Sequence, residues 1–514
     1  MEDTSDYYSV YLGCALVSLA LLASFRWRLT ANNGLRLPPG PWQLPVIGSL
    51  HHLVGQLPHR ALGDLAQRHG QVMLLRLGEV PTLVISSADA AREVMKTHDL
   101  AFASRPLTAT MRVVTCGGRD IIFSPYGEYW RQLRKIAVTE LLTVRRVLSF
   151  RAIREEEVAA MLREVESAAA AGQPVEMRAR LSAVVSDTSF RAVMGDRCKQ
   201  REVFLRELDT LVDLTTGLNP VDLWPSSWLA RRLSGSLRRA EKNHAVVYGI
   251  IKGVIQEHLD RDKGCGEEAE DLLDVLLNIQ KDGVVDMVAV EAVIFDLFTA
   301  GSETSATALE WAMAELIKNP TAMRKAKAEV RQAFEADGTV VEDRLGEVPY
   351  LHLVVRETLR LHPPLPLLLP RECREPCKVL GFDVPRGTQV LVNAWALGRD
   401  KRSWPDGTEE FRPERFEGSA DADAVAAVDF RGTDFELLPF GAGRRMCPGM
   451  AFGLANVELP LASLLLHFDW EAPDNSDPAE FDMTEAFGIT ARRKANLLLR
   501  PSLRVPIPRH GLVV

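Results

Sequence analysis

Phe440-Gly441-Ala442-Gly443-Arg444-Arg445-Met446-Cys447-Pro448-Gly449 places one cysteine in a loop made tight by three glycines, with two arginines just before it. The apolar run Met450 to Trp470 that follows reads as a helix, and Pro448 suits its first turn, where a missing N–H costs nothing. A thiolate there would face unpaired backbone N–H groups and the positive end of the helix dipole, which favour its charged form. Such a sulfur is suited to be a ligand or a nucleophile. A small core cysteine would need neither the glycines nor Arg445.

The rest of the chain bounds the setting of that loop. Its 514 residues are 46% hydrophobic and 25% charged, an ordinary globular composition. A net charge of −8 and the lack of a basic tract exclude a nucleic-acid partner. The cysteines Cys14, Cys116, Cys198, Cys265, Cys373, Cys377 and Cys447 are odd in number and form no CxxC. They suggest neither a disulfide framework nor a structural zinc site, and a reducing compartment fits.

Val10 to Phe25 is apolar apart from two serines, with Glu2, Asp3 and Asp6 before it and Arg26 and Arg28 after it. This charge pattern predicts an uncleaved single-pass anchor with the tail lumenal and everything after Arg26 cytosolic. No basic start or small-residue cleavage site marks a signal peptide. Leu37 to Gly48 carries four prolines and reads as a stiff, extended linker. Residues 1–28 are thus an expected membrane anchor, 29–48 a hinge, and 49–514 the globular body.

Within that body, Asp286 to Asn319 is the longest helical pattern, about 50 Å at 1.5 Å per residue. Its middle is apolar on several faces, which predicts burial. Gly301 weakens such a helix, and Glu303 and Thr304 are costly there unless paired, so a functional site is expected. Tyr126 to Leu142 also reads as a helix, with Trp130 and Arg134 on one face. Glu357 and Arg360 lie three apart on a helix over Tyr350–Leu361, and Pro413-Glu414-Arg415-Phe416 supplies a further acid–base pair. Val72–Leu77 and Thr82–Ile85 read as a hairpin, and Leu365–Arg371, Gly381–Val384 and Gln389–Asn393 as short strands. Residues 144–280 read as mostly helical, and Arg105–Phe123 as a long, functional loop. Pro460 interrupts the helix after Cys447, where a kink or a lost hydrogen bond is expected.

In this order the motifs resemble the cytochrome P450 superfamily of haem-thiolate monooxygenases, over about Leu37 to Arg500. The resemblance implies a mainly α (α+β) fold, helix-rich with small β-sheets, and haem b between the long central helix and the Cys-loop helix. Cys447 would be the iron ligand. Phe440, Gly443 and Gly449 would shape its loop, and Trp130, Arg134 and Arg445, with Arg371 as a fourth donor, would hold the haem propionates. Glu357, Arg360 and Arg415 would form a structural triad. Gly301, Glu303 and Thr304 would be catalytic, the glycine leaving room for O2 and the acid–alcohol pair relaying protons. The family more often shows Asp at position 303; the carboxylate is kept.

The anchor, hinge and loop wording resemble the plant A-type group. That implies an endoplasmic reticulum enzyme, monomeric, fed electrons from NADPH by a cytochrome reductase. The pocket would be lined by Ile294, Leu297, Phe298, Ala300, Leu365, Leu368, Phe487 and Ile489, an apolar set suited to a small lipophilic substrate. Asp296 is the exception, read as satisfied within the fold rather than by substrate. The implied reaction is oxidation of a sesquiterpene or diterpene defence compound; the alternative is an indole or benzoxazinoid hydroxylase. A hydroperoxide isomerase usually lacks the acid–alcohol pair, and a non-catalytic haem-binding scaffold would not need Gly301, Glu303 and Thr304 together.

Overall fold

The computed structural model describes residues 34–508 except 196–198, 216, 262–270, 419–424, 474–479 and 487. The expected anchor, Val10 to Phe25, lies outside the described residues. Among them, one helix is long and apolar enough to cross a membrane, Met450–His467 (α8), but 67% of it is buried inside the fold. It is a core helix.

The central element is Met287–Lys318 (α6), one residue inside the predicted span at each end. Asp286 caps it, its side chain accepting from the Ala289 N–H. α6 passes through two hydrophobic cores in turn. Val290, Val293, Ile294, Phe295 and Phe298 belong to one, with Arg201–Leu214 (α4) and Ser236–Arg261 (α5). Leu309, Trp311, Ala312 and Met313 belong to the other, with Arg151–Ala170 (α2), Pro349–Leu361 (α7) and α8. Thr299 to Ser305 lies between these cores, and Ala300, Gly301, Thr304 and Ser305 within it border a cavity. Met177–Met194 (α3) packs along α6, bringing Arg178 beside the glycine–acid segment.

Other helices differ from expectation only at their ends. The Tyr126–Leu142 pattern resolves into Glu128–Ile136 (α1) followed by a π-turn over Ala137–Leu141. α8 stops at His467, because Phe468–Glu471 (β8) pairs antiparallel with Leu498–Leu503 (β9), which also pairs with Val175–Glu176 (β3). Pro448 precedes the capping residue Gly449, just outside α8. Pro460, expected to interrupt this helix, lies inside it, and α8 runs unbroken from Met450 to His467. The loop Arg105–Phe123 contains one short helix, Ala109–Val114.

The largest sheet has the order β1-β2-β7-β4. Val72–Leu77 (β1) and Val80–Ile85 (β2) form the predicted hairpin, two residues longer on its second strand. Gln389–Val392 (β7) pairs parallel with β2, and Arg371–Glu372 (β4) pairs antiparallel with β7. Cys377–Val379 (β5) and Phe382–Val384 (β6) make a separate ribbon. Of Leu365–Arg371, read from sequence as a strand, only Arg371 enters one, in β4; Leu365–Leu369 is a turn, with Leu368 at φ +50°. Leu365, Leu368 and Leu369 border the cavity instead of a sheet partner, while Leu367 packs against the core beneath β1 and β2.

Candidate active site

Between α6 and the Cys447 loop lies a cavity of about 230 Å³. Its floor is the cysteine loop. Gly443 has φ +66°, and a Cβ there would stand 2.3 Å from the Met95 carbonyl oxygen and 2.7 Å from Asp99 Oδ1, so only glycine fits. The Cys447 N–H donates to the Phe440 carbonyl at 2.9 Å, closing the loop. Asp99 accepts from the Arg444 N–H at 3.1 Å and its guanidinium at 2.8 Å, which ties the loop to the chain after β2. Phe440 packs edge-on against Phe430 with ring centroids 5.4 Å apart.

Cys447 faces the cavity. Burial pushes its thiol up, while the Gly449 N–H and the Arg134 charge pull it down. Burial prevails, so the helix start alone does not hold a thiolate here. A bound cation would.

The triad anchors this floor from behind. Glu357 takes Arg360 in a two-pronged pair at 2.7 and 2.9 Å, and the Arg415 Nε at 2.9 Å. All three residues are buried. The spare guanidinium donors go to backbone carbonyls of Thr408, Glu410, Asp406 and Gly407. This network fastens the meander before Cys447 to α7 and reaches none of the cavity lining.

Four arginines, Arg105, Arg134, Arg371 and Arg445, line one rim of the cavity. Arg134 donates to the Met446 carbonyl at 2.6 Å, and Arg445 to that of Ala103 at 2.6 Å. Arg105 donates to Ile122 at 2.8 Å and Leu369 at 2.8 Å. Arg371 donates to Ala442 at 2.7 Å and touches Asp99 at 3.4 Å. Burial, then the Arg371 charge, pushes Arg445 down to about 9. Burial and the neighbouring Arg445 likewise lower Arg105. Trp130 lies 4.1 Å under the Arg445 guanidinium, its Nε1–H donating to the Ile121 carbonyl at 3.0 Å.

A crowd of buried cations held mainly by neutral carbonyls is short of negative charge. Two carboxylates arriving at this rim would satisfy it. The residues therefore fit haem: a cysteine on the floor, a cationic rim for the propionates, and apolar walls from Ala300, Leu365, Phe440 and Phe452 for the macrocycle.

The roof is α6. Ala300, Gly301 and Thr304 line the cavity, and the Thr304 hydroxyl donates back to the Ala300 carbonyl at 2.6 Å. A Cβ on Gly301 would meet Phe452 at 3.4 Å and Ser189 at 3.7 Å, ordinary contacts, so packing alone does not demand glycine there. Glu303 points elsewhere. Its Oε1 pairs with Arg492 Nε at 2.5 Å and Arg178 Nη2 at 3.3 Å, and accepts from the Thr307 hydroxyl at 3.1 Å. The acid and alcohol of the predicted pair thus sit on different faces of α6.

Of the expected pocket residues, Leu297, Ala300, Leu365 and Leu368 line the cavity. Ile294 and Phe298 are buried in the core on the other side of α6, Phe298 stacked with Phe190 and Phe204 at 4.6 and 5.2 Å. Ile489 is outside the lining, and Phe487 lies outside the described residues. Asp296 also lines the cavity, while its Oδ2 accepts the N–H groups of Ile121 and Ile122 at 2.7 and 3.2 Å. Burial, reinforced by Asp120, raises it well above the usual carboxylate range. Sequence reasoning missed Arg105, Arg178 and Arg492. Arg105 opens the flagged loop, but its Leu369 acceptor is 264 residues away, beyond any local pattern.

The Cytochrome P450 family model matches residues 38–499. A dolabradiene monooxygenase of Zea mays is 47% identical over 98% of this chain and 99% of its own length. Zealexin A1 synthase, also of Zea mays, is 48% identical over 94% and 95%. Premnaspirodiene oxygenase of Hyoscyamus muticus is 45% identical over 94% and 97%. Among solved structures, a zebra fish cytochrome P450 with abiraterone superposes with a TM-score of 0.73 at 25% identity, covering 87% of this chain and 99% of that one.

Proposed function

The chain belongs to the cytochrome P450 family and is a haem-thiolate monooxygenase, and on that premise we propose that it oxidises a sesquiterpene or diterpene. The observation that carries the chemistry is the Cys447 thiol on the floor of an apolar cavity rimmed by four arginines. The substrate class rests on relatives whose names record dolabradiene and premnaspirodiene oxidation, together with walls that offer shape rather than charge.

Cys447 would ligate the haem iron, with the Gly449 N–H tempering the charge on its sulfur. Arg105, Arg134, Arg371, Arg445 and Trp130 would hold the propionates. When bound, haem supplies the reduction of O2 and the insertion of one oxygen atom into a C–H bond. Thr304 turns its hydroxyl proton to Ala300, which leaves its oxygen free to accept a hydrogen bond from a proton donor inside the cavity. Glu303 holds its carboxylate on another face of α6, paired with Arg492 and Arg178, so it would join a proton relay to Thr304 only if that pairing opened. Leu297, Ala300, Leu365 and Leu368 exclude bulk water and set substrate orientation.

Electrons come from NADPH through a membrane-bound reductase, and the protein works as a monomer on the cytosolic face of the endoplasmic reticulum. Residues 1–28 anchor it, 29–48 form the hinge, and 49–514 the catalytic domain. The membrane side is marked by exposed Trp42, Val46 and Val54, and by Trp228, Leu229 and Leu233. The two groups are joined where Trp224 Nε1 donates to the Val46 carbonyl at 3.0 Å. Apolar side chains gathered there are suited to lipid.

The full-length protein, co-expressed with a plant NADPH–cytochrome reductase, tests this reading against sesquiterpene and diterpene hydrocarbons and against indole and benzoxazinones. NADPH-dependent oxygenation of a terpene is expected. Oxidation confined to the indole panel would overturn the substrate assignment.

A further inference from the structure

Outside the cavity, two thiols meet at the turn between β4 and β5. Cys377 opens β5 and stands opposite Val384 in the β5–β6 ribbon. The Cys373 Sγ reaches the same place, 3.7 Å from the Val384 carbonyl oxygen and 3.0 Å from that of Glu375. Both residues therefore cluster at Val384, Cys377 as its strand partner and Cys373 through its sulfur. Cys373 is 0% exposed and Cys377 is half-buried, so one thiol is shielded while the other meets solvent. Neither lines the cavity, and the monooxygenase reaction gives them no task.

The remaining described cysteines lack such a partner. Cys116 contacts His244 Nε2 at 3.4 Å, and Cys447 faces the cavity. Both are free of disulfides, as are Cys373 and Cys377.

We propose that Cys373 and Cys377 form a peroxide-sensitive thiol pair that closes to an intrachain disulfide. The oxidant is hydrogen peroxide. The Cys377 sulfur attacks one peroxide oxygen; the O–O bond breaks, a sulfenic acid forms on Cys377, and the other oxygen leaves as water. The Cys373 sulfur then attacks the Cys377 sulfur. The S–O bond breaks, hydroxide takes the Cys373 proton, and a second water leaves. Two thiols give up two electrons and two protons, and one peroxide becomes two waters.

The division of roles follows from the surroundings. The neighbouring Cys373 holds the Cys377 thiol below its ordinary value, and a thiolate is the attacking form. The same contact, with burial, pushes Cys373 up, which keeps it protonated until the sulfenic acid has formed. Both cysteines border the same residue, Val384, which sets the two thiols side by side for a bond of about 2.05 Å.

The test uses the full-length holoenzyme, treated with one equivalent of hydrogen peroxide, alkylated and digested with trypsin. Cleavage after Arg371, Arg374 and Lys378 leaves the two cysteines on separate peptides, so the disulfide appears as a cross-link between them. The cross-link is expected as the main cysteine oxidation product, lost on reduction with dithiothreitol. In Cys373→Ala, Cys377 is expected to stop at a sulfenic acid trapped by dimedone. In Cys377→Ser, Cys373 is expected to stay reduced. If both thiols remain alkylatable in the native protein while Cys116 oxidises, or if Cys377→Ser leaves Cys373 equally reactive, the proposal is wrong.

Discussion

Glu357→Gln tests whether the triad is a structural lock. In the native protein the Glu357 Oε1 accepts from Arg360 Nη2, Arg415 Nε and the Arg412 N–H, each at 2.9 Å, and Oε2 accepts from Arg360 Nε at 2.7 Å. The substitution removes the negative charge and turns an amide NH2 toward guanidinium donors. Two cations then remain buried with only carbonyls around them, at a cost of roughly 3–5 kcal/mol. With unfolding entropy near 2.1 cal/mol/K per residue, a chain of 514 residues has about 1.1 kcal/mol/K. The melting midpoint should therefore fall by about 3–5 °C. Calorimetry on the holoenzyme measures this, and the reduced carbon monoxide spectrum reports the fraction that keeps its thiolate-ligated haem. The triple variant Glu357→Leu, Arg360→Met, Arg415→Met removes all three charges and should melt above Glu357→Leu alone, because no charge is stranded. A Glu357→Gln protein that melts within 1 °C of wild type, or a triple variant no better than the single, would refute the reasoning.

Gly443→Ala drives a Cβ to 2.3 Å from the Met95 carbonyl at a positive φ, and should cost at least about 2 kcal/mol and most of the haem content, read by absorbance per protein. Glu303→Gln should slow turnover by about tenfold to a hundredfold while leaving substrate binding, read by spectral titration, within twofold; unchanged turnover would make Glu303 a purely structural tie. Glu485 is buried, which pushes its pKa up, yet His59 and Arg60 at 2.9 Å prevail and hold it at about 2. Its contribution to stability is thus fully present above about 4.5 and lost as pH falls toward 2, so Glu485→Gln should flatten the acid side of the stability profile in that window. An acid limb of undiminished slope in the variant would rule this out.

How far the sequence could be read depended on the range of each signal. Cys447, Gly443 and Arg445 were legible because a tight turn and a helix start dictate their neighbours within ten residues. Glu357 and Arg360 were legible for the same reason, three apart on one helix face. α6 was predicted to within one residue at each end, since an apolar pattern of that length permits no other element. Leu365–Leu369 failed as a strand because an apolar run reads alike whether a sheet or a cavity receives its side chains.

By itself, then, the sequence determined the parts: the cysteine loop, the long buried helix, the Glu357–Arg360 pair and the β1–β2 hairpin. Each is set by spacing along the chain. Only the tertiary structure decided which way those parts face. Period 3.6 groups residues on a helix face, but what that face meets depends on partners hundreds of residues away. Glu303 turns to Arg178 and Arg492 while Thr304 turns to the cavity, and Ile294 and Phe298 enter the core while Leu297 and Ala300 border open space. The cationic rim is of the same kind, drawn from Arg105, Arg134, Arg371 and Arg445 on four separate segments that only the fold gathers together.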